Sequence, residues 1–444
     1  MMGMPNFRPR LPSRNWTIFL TIVGTWSGAI IYDRRETKRT QAKWAALVSH
    51  LASDPLPPNQ LPRRLTVFLS SPPADGPMTA REHFHAYVKP ILVAAALDWD
   101  AIEGRKEGDV RAALAERIRK ARKLRGEATA EPVPEDDREL ELAHIRARSG
   151  VRPYTGVAGD IVVGRNTWKE YVRGLHEGWL GPVDAPAAVS APAETAVEGA
   201  TQSETPAARG PEKPHSLAAI PEYVAEKALE RAAPKDEGFA ADDASPTDDA
   251  SPVAEPVSEE AKPEVTADGK PKKAKQPPPF IGTAEYAAAQ LSPNTPAELG
   301  PSVPIPLPHI LGFLNTPTRM WRFLTRRYLA DEVGRQVAAA VLGAYRPYEQ
   351  GLAGEDSGEA RDGGGQVWEQ EGCLKGEEAE WHKSVRRKEG EEEGERVLLD
   401  DVVLDERIAG RMRRFVLEPE EEERARRIGE GSEGKRERVY AHEM

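Results

Sequence analysis

One stretch constrains this chain more than any other. Trp16 to Tyr32 reads WTIFLTIVGTWSGAIIY, seventeen residues without a charge, with Arg14 before it and Arg34, Arg35, Lys38 and Arg39 after it. As a helix rising about 1.5 Å per residue it is roughly 25 Å long, the short end of what crosses a bilayer. Trp16 and Tyr32 close its two ends, where amphipathic rings favour the headgroup level, and the flanking cations can snorkel to phosphates. Thr17, Thr21, Thr25 and Ser27 dilute its hydropathy. Its Leu, Ile and Phe residues surround the whole circumference, unlike those of a surface-lying amphipathic helix. Ile30-Ile31-Tyr32-Asp33 lacks the small residues of a signal cleavage site, and basic clusters at both ends disfavour a buried core helix. The expectation is a single transmembrane helix over 16–32.

Gly24 and Gly28, with Ser27 between them, make a small-residue face on which a second helix could pack. Glycine is also frequent in membrane helices generally, so the face has a bland reading too. Basic charge at both ends leaves orientation open. Residues 1–15, with Arg8, Arg10 and Arg14 and no acid, resemble a mitochondrial targeting sequence, here read as an uncleaved signal anchor.

Beyond this stretch the chain reads as water-soluble. Hydrophobic residues make up 39% and charged residues 30%, with 37 Gly and 39 Pro in 444 residues. That balance predicts folded pieces separated by disordered ones. A net charge of −11 argues against nucleic acid as a partner. One cysteine, Cys373, excludes an internal disulfide and a cysteine-based metal cluster.

A juxtamembrane helix and linker over 33–63 precede an α/β domain whose first part is 64–180. Leu65–Leu69 is a predicted strand, Ser70–Pro77 a Pro- and Gly-containing loop, and Thr79-Ala80-Arg81-Glu82 a capping box opening a helix that Pro90 kinks. Asp98–Glu103 is a second strand, and a helix starts at Gly108-Asp109 with Val110, Leu114, Ile118 and Ala121 on one stripe. A charged insertion covers 125–150. Asp160–Val163, the turn Gly164–Thr167 and a helix from Trp168 to Trp179 follow. Alternating strands and helices mean a parallel sheet. The fold class expected is α/β, a parallel βαβ domain behind a transmembrane helix, with long disordered insertions.

The Ala-, Pro- and Glu-rich stretch 181–279 is expected to be disordered. The second part of the domain, 280–349, holds an extended run at Val303–Leu311. A helix then starts at Asn315-Thr316-Pro317, either continuous or broken near Gly334. A low-complexity acidic and Gly-rich stretch fills 350–395. A C-terminal piece, 396–417, has Asp405 capping a helix that carries Ile408, Met412 and Phe415, and a charged tail ends the chain at 418–444.

The turns after the strands are where such sheets bind ligands. Gly164-Arg165-Asn166-Thr167 stands where a phosphate-cradling loop would be, but one glycine gives backbone amides little room to approach an anion. A structural turn is the favoured reading. His83 and His85 are two apart on a helix and cannot share a metal. No HExxH, zinc spacing or nucleophile elbow occurs, so no catalytic residue, metal or cofactor is expected. Arg319, Arg322, Arg326 and Arg327 fall on one face of the late helix, either a solvated charged face or a contact for anionic lipid or an acidic partner.

Long runs resemble a fungal mitochondrial family. They are Pro5–Arg35, Trp44–Leu51, Pro62–Ser70, His83–Ala96, Gly159–Gly181, Ile310–Leu342 and Asp400–Phe415. The family is the large anchored subunit, Tim fifty-four, of the inner-membrane carrier translocase (the TIM-twenty-two complex). The resemblance implies a non-catalytic scaffold that helps insert multi-spanning carriers. It also implies a matrix N-terminus and a large domain in the intermembrane space. The partners it implies are the channel-forming and other translocase subunits, small intermembrane-space chaperones, inner-membrane lipid and carrier precursors as clients.

A weaker resemblance, over Leu65–Ala115, is to the first βαβα of diacylglycerol- and acylglycerol-type lipid kinases. Asp160–Leu175 falls where that family has a Gly-Gly-Asp-Gly-Thr loop, of which only Gly164 and Thr167 match. It implies a kinase-like fold with a lost nucleotide loop. A membrane-anchored lipid kinase and a general inner-membrane tether are the rival functions.

Overall fold

Leu65, Val67 and Leu69 alternate with Thr66, Phe68 and Ser70 along β1 (Arg64–Ser70), and both sets are buried. A strand covered on both faces belongs inside a parallel sheet flanked by helices. The computed structural model shows that sheet and describes residues 13–56, 59–130, 138–154, 156–186, 278–352, 366–381, 385 and 396–432. Contacts divide the chain into two units, and every described residue belongs to the one formed by 1–187 and 274–444.

In chain order, α1 (Arg14–Val48) leads to β1. Next come α2 (Met78–His83), a π-helical turn (Phe84–Val88) and α3 (Lys89–Ala94). Then follow β2 (Asp98–Gly104), α4 (Asp109–Leu124), α5 (Arg138–Arg148), β3 (Gly159–Val163) and α6 (Arg165–Leu180). After them come β4 (Ser302–Ile305), α7 (Thr316–Phe323), α8 (Arg326–Leu342), β5 (Tyr345–Pro347), β6 (Gln350–Leu352), β7 (Gln366–Trp368) and α9 (Glu369–Gly372). The last elements are α10 (Glu406–Ala409), β8 (Arg413–Phe415) and α11 (Pro419–Gly429). The main sheet has the order β2-β1-β3-β4-β8-β5, and only β5 runs antiparallel to its neighbour. The expected α/β class with a parallel sheet is therefore present. β2 lies at the edge, and its Asp98, Asp100 and Glu103 discourage another strand from pairing there.

One face of the sheet packs Leu65, Val67, Leu69, Ile161, Val163, Val303 and Ile305 against α1, α3 and α8. The other packs Phe68 and Val162 against α4 and α6. Pro90 supplies no N–H to the carbonyl of Ala86 one turn earlier, and Gln41 Nε2 on α1 donates to that carbonyl at 2.9 Å. The π-helical turn Phe84–Val88 ends just before Pro90, and its freed carbonyl receives α1.

Several expectations are corrected. The single transmembrane span over Trp16–Tyr32 is not supported. A helix forms there, yet among the described residues no helix is long and apolar enough to cross a membrane. The uncharged run is short, and the hydroxyls of Thr17 and Thr21 in it turn back to helix carbonyls four residues earlier, at 3.1 and 3.0 Å. Nor does the helix end at Tyr32. It continues through Asp33 to Val48, and Trp44 and Val48 enter the core.

The capping box at Thr79 does not form: α2 opens one residue earlier, and Thr79 Oγ1 donates instead to Asp75 at 2.8 Å. The late helix breaks at Leu324-Thr325, not at Gly334. The glycine is instead where α8 meets α1, since a Cβ there would stand 2.2 Å from Trp44 Cδ1. The insertion at 125–150 contains α5, and the low-complexity stretch contains β7, α9 and a 3-10 turn at Lys375–Glu380. The disorder expected over 181–279 lies outside the described residues apart from 181–186 and 278–279.

Candidate functional site

β1 crosses to one side of the sheet through α2 and α3, whereas β3 crosses to the other through α6. The carboxyl ends of β1 and β3 therefore flank the point where strand order reverses, the usual ligand crevice of such a sheet. The expected turn Gly164–Thr167 lies there but is not a loop. Gly164 alone makes the turn, at φ 87° with Leu307 Cβ 3.2 Å from where its own Cβ would be, and α6 begins at Arg165. Arg165, Asn166 and Thr167 are all buried in its first turn.

A carboxylate already occupies the anion position. Glu377 accepts the backbone N–H of Arg165 at 2.8 Å and that of Leu307 at 2.7 Å. The Arg165 guanidinium donates to Glu378 at 2.6 Å and to the carbonyls of Glu371 and Cys373 at 2.9 and 2.7 Å. Lys169 reaches Glu378 at 3.0 Å, and Asn166 donates to the Ser71 carbonyl at 2.8 Å. Burial raises the Glu377 carboxyl to about 7, against the pull of the two amides. A helix N-terminus attracts negative charge, and here the chain supplies that charge itself.

The start of α4 is filled in the same way. Glu170, fully buried, accepts from the amides of Val110 and Arg111 at 2.9 and 3.4 Å, and Ser70 Oγ donates to it at 3.4 Å. Its burial raises it to about 7. Two turns further along α6, Glu177 ties Arg111 and Arg119 of α4 together. Among the described residues no group of three or more His, Cys, Asp and Glu could hold a metal. His83 is buried with its pKa lowered to about 4 by desolvation, and His85 is exposed.

The other unusual surface is apolar. Trp16, Phe19, Leu20, Ile22, Trp26 and Tyr32 of α1 are exposed, as are Phe313, Leu314 and Trp321 around α7. A methyl group added at Gly24 or Gly28 would meet no atom within 4 Å, so the Gly24, Ser27, Gly28 face is uncovered. The four arginines do not share one face. Arg319, Arg322 and Arg326 line one cavity of about 470 Å³, with Arg322 paired to Glu380 at 2.8 Å. Arg327 turns to Asp33 of α1 at 3.2 Å.

The model of the family described as inner membrane protein import complex subunit Tim54 matches residues 1–415. The chain belongs to the Tim54 family. Relatives named mitochondrial import inner membrane translocase subunit tim54 bear this out. The chain is 46% identical to that of Aspergillus oryzae, with 97% of this chain and 90% of the relative covered. It is 45% identical to that of Aspergillus fumigatus (94% and 90%) and 41% to that of Neurospora crassa (96% and 82%).

The Tim54 match takes in both α1 and the filled crevice. Reasoning from sequence missed Glu377 and Glu378, because they sit in a stretch whose composition is dominated by Gly and Glu. Trp368 and Cys373 were the available signal that part of the stretch packs, and Cys373 is indeed buried.

Proposed function

We propose that this chain is a non-catalytic subunit of the inner-membrane carrier translocase, holding an α/β domain in the intermembrane space as a docking scaffold. The observation that carries the scaffold reading is the carboxylate of Glu377 on the amides of Arg165 and Leu307. A nucleotide phosphate at this switch point would have to displace it. On this reading the fold is kinase-like with its nucleotide loop lost. Membership of a family of import-complex subunits supplies the setting.

The anchor in this proposal is the uncharged part of α1: too short and polar to count as a span on its own, it is held in the inner membrane beside partner helices, with the N-terminus on the matrix side. Its exposed Trp16, Phe19, Leu20 and Ile22 would be costly to leave in water and are stabilised in lipid. The uncovered Gly24, Ser27 and Gly28 face would take a helix of the channel subunit. Small intermembrane-space chaperones would dock on the domain while carrier precursors pass. Isolation of the tagged chain from mitochondria in mild detergent, with protease accessibility of mitoplasts on the same sample, tests this. The account expects translocase subunits in the eluate and a domain cut only after the outer membrane is opened. Recovery without any of those subunits would overturn it.

A further inference from the structure

α7 and the turn before it turn apolar side chains to the outside. In a water-soluble domain a helix buries its apolar stripe and exposes its charges. Here Phe313 and Leu314, in the turn just before α7, are 89% and 88% exposed and Trp321 of α7 is 67% exposed, while Arg322 pairs with Glu380. These apolar side chains, with Met320 and Leu324, line a cleft of about 600 Å³ whose opposite wall is Trp26 of α1. The patch is therefore continuous with the apolar surface of α1.

The height of α7 along α1 is set by a specific contact. Asp33, the first charge after the uncharged stretch, accepts the backbone N–H groups of Arg326 and Arg327 at 3.2 and 3.3 Å, at the start of α8. α7 ends just before that point. Trp26 is seven residues earlier than Asp33, roughly 10 Å along the helix axis. That is the depth to which interfacial amphipathic helices bury their apolar face. Arg319 of α7 and Arg326, the first residue of α8, line a separate cavity, and among the described residues neither makes an ion pair.

We infer that Phe313–Leu324 is a second membrane contact. It is an interfacial helix lying in the outer leaflet beside α1, with Arg319 and Arg326 at the level of anionic phospholipid headgroups. The inference rests on the proposed anchoring of α1. It also answers a weakness of that anchor, since α7 adds apolar surface beside a helix that is short and polar for a span. A bilayer fits the patch better than a second protein. The patch is level with the end of the uncharged stretch, it includes the aromatic rings of Phe313 and Trp321, and cations flank it where headgroup phosphates would be.

The test uses the full chain carrying Cys373→Ser, with a single environment-sensitive fluorophore placed by Leu314→Cys, Ile22→Cys or Glu298→Cys. Each protein is reconstituted in nanodiscs of phosphatidylcholine with or without phosphatidylglycerol. A nitroxide-bearing lipid is the quencher. The inference expects blue-shifted, lipid-quenched emission at 314 and 22 and unquenched emission at 298. Quenching at 314 should deepen with phosphatidylglycerol, and Arg319→Gln with Arg326→Gln should abolish that deepening. Quenching at 22 without quenching at 314 would overturn this inference and leave the anchor standing. No quenching at 22 would overturn the anchor itself. A blue shift at 314 without quenching would mean that a second copy of the chain covers the helix, and would also overturn the inference.

Discussion

Glu170 shows at the scale of one residue how this domain spends its charges. It is fully buried at the start of α4, held by the Val110 and Arg111 amides, and burial raises its pKa from 4.5 to about 7. The folded chain therefore keeps this proton to a higher pH than the unfolded chain does. Between pH 4.5 and 7 the native state binds more protons, so Glu170 makes stability fall as pH rises through that window. Glu170→Gln keeps an acceptor for Val110 and removes the titration. In urea unfolding, the variant should gain about 3 kcal/mol on the natural chain between pH 4.5 and pH 7.5. Parallel pH curves for the two would contradict the assignment. None of this was legible from sequence, because Glu170 looks like any exposed helical glutamate until α4 is packed against α6. Gly164 was legible as a turn. Its neighbours Arg165, Asn166 and Thr167 read as loop residues, since the groups that satisfy them come from Ser71 and from the distant 371–378 segment.

At the scale of elements, short apolar runs made β1 and β3 readable, and three-to-four spacing did the same for α4. That they lie in a parallel sheet followed from the alternation of strands and helices. The packing of α1 on α8 was not readable, because the partners are nearly three hundred residues apart: Trp44 Nε1 donates to Asp331 at 2.9 Å with a separation of 287. This contact gives Gly334 its meaning. In an ordinary helix interior Gly→Ala stabilises by about 0.5–1 kcal/mol. At Gly334 the added methyl would meet the Trp44 ring, so Gly334→Ala should instead destabilise by about 1–3 kcal/mol through overpacking. Thermal unfolding followed by circular dichroism gives the sign directly, and a raised midpoint would contradict the packing described.

For the whole molecule, the resemblance to a translocase subunit is the most informative reading of the sequence, and the family match over 1–415 supports it. Hydropathy alone was a poorer guide. It marked Trp16–Tyr32 correctly as unusual, yet the helix there is neither confined to that stretch nor apolar enough to count as a span. What α1 does instead is join two environments, its first half exposed and its second half built into the domain core. The central claim is that this rigid connection serves carrier insertion, with no chemistry in the crevice of the sheet. The most direct measurement is import into mitochondria depleted of this chain, comparing a radiolabelled carrier with a presequence-bearing matrix protein. The account predicts that carbonate-resistant carrier insertion is lost while matrix import continues, and that Glu377→Ala supplied in its place restores insertion. Undiminished carrier insertion in the depleted mitochondria would contradict it.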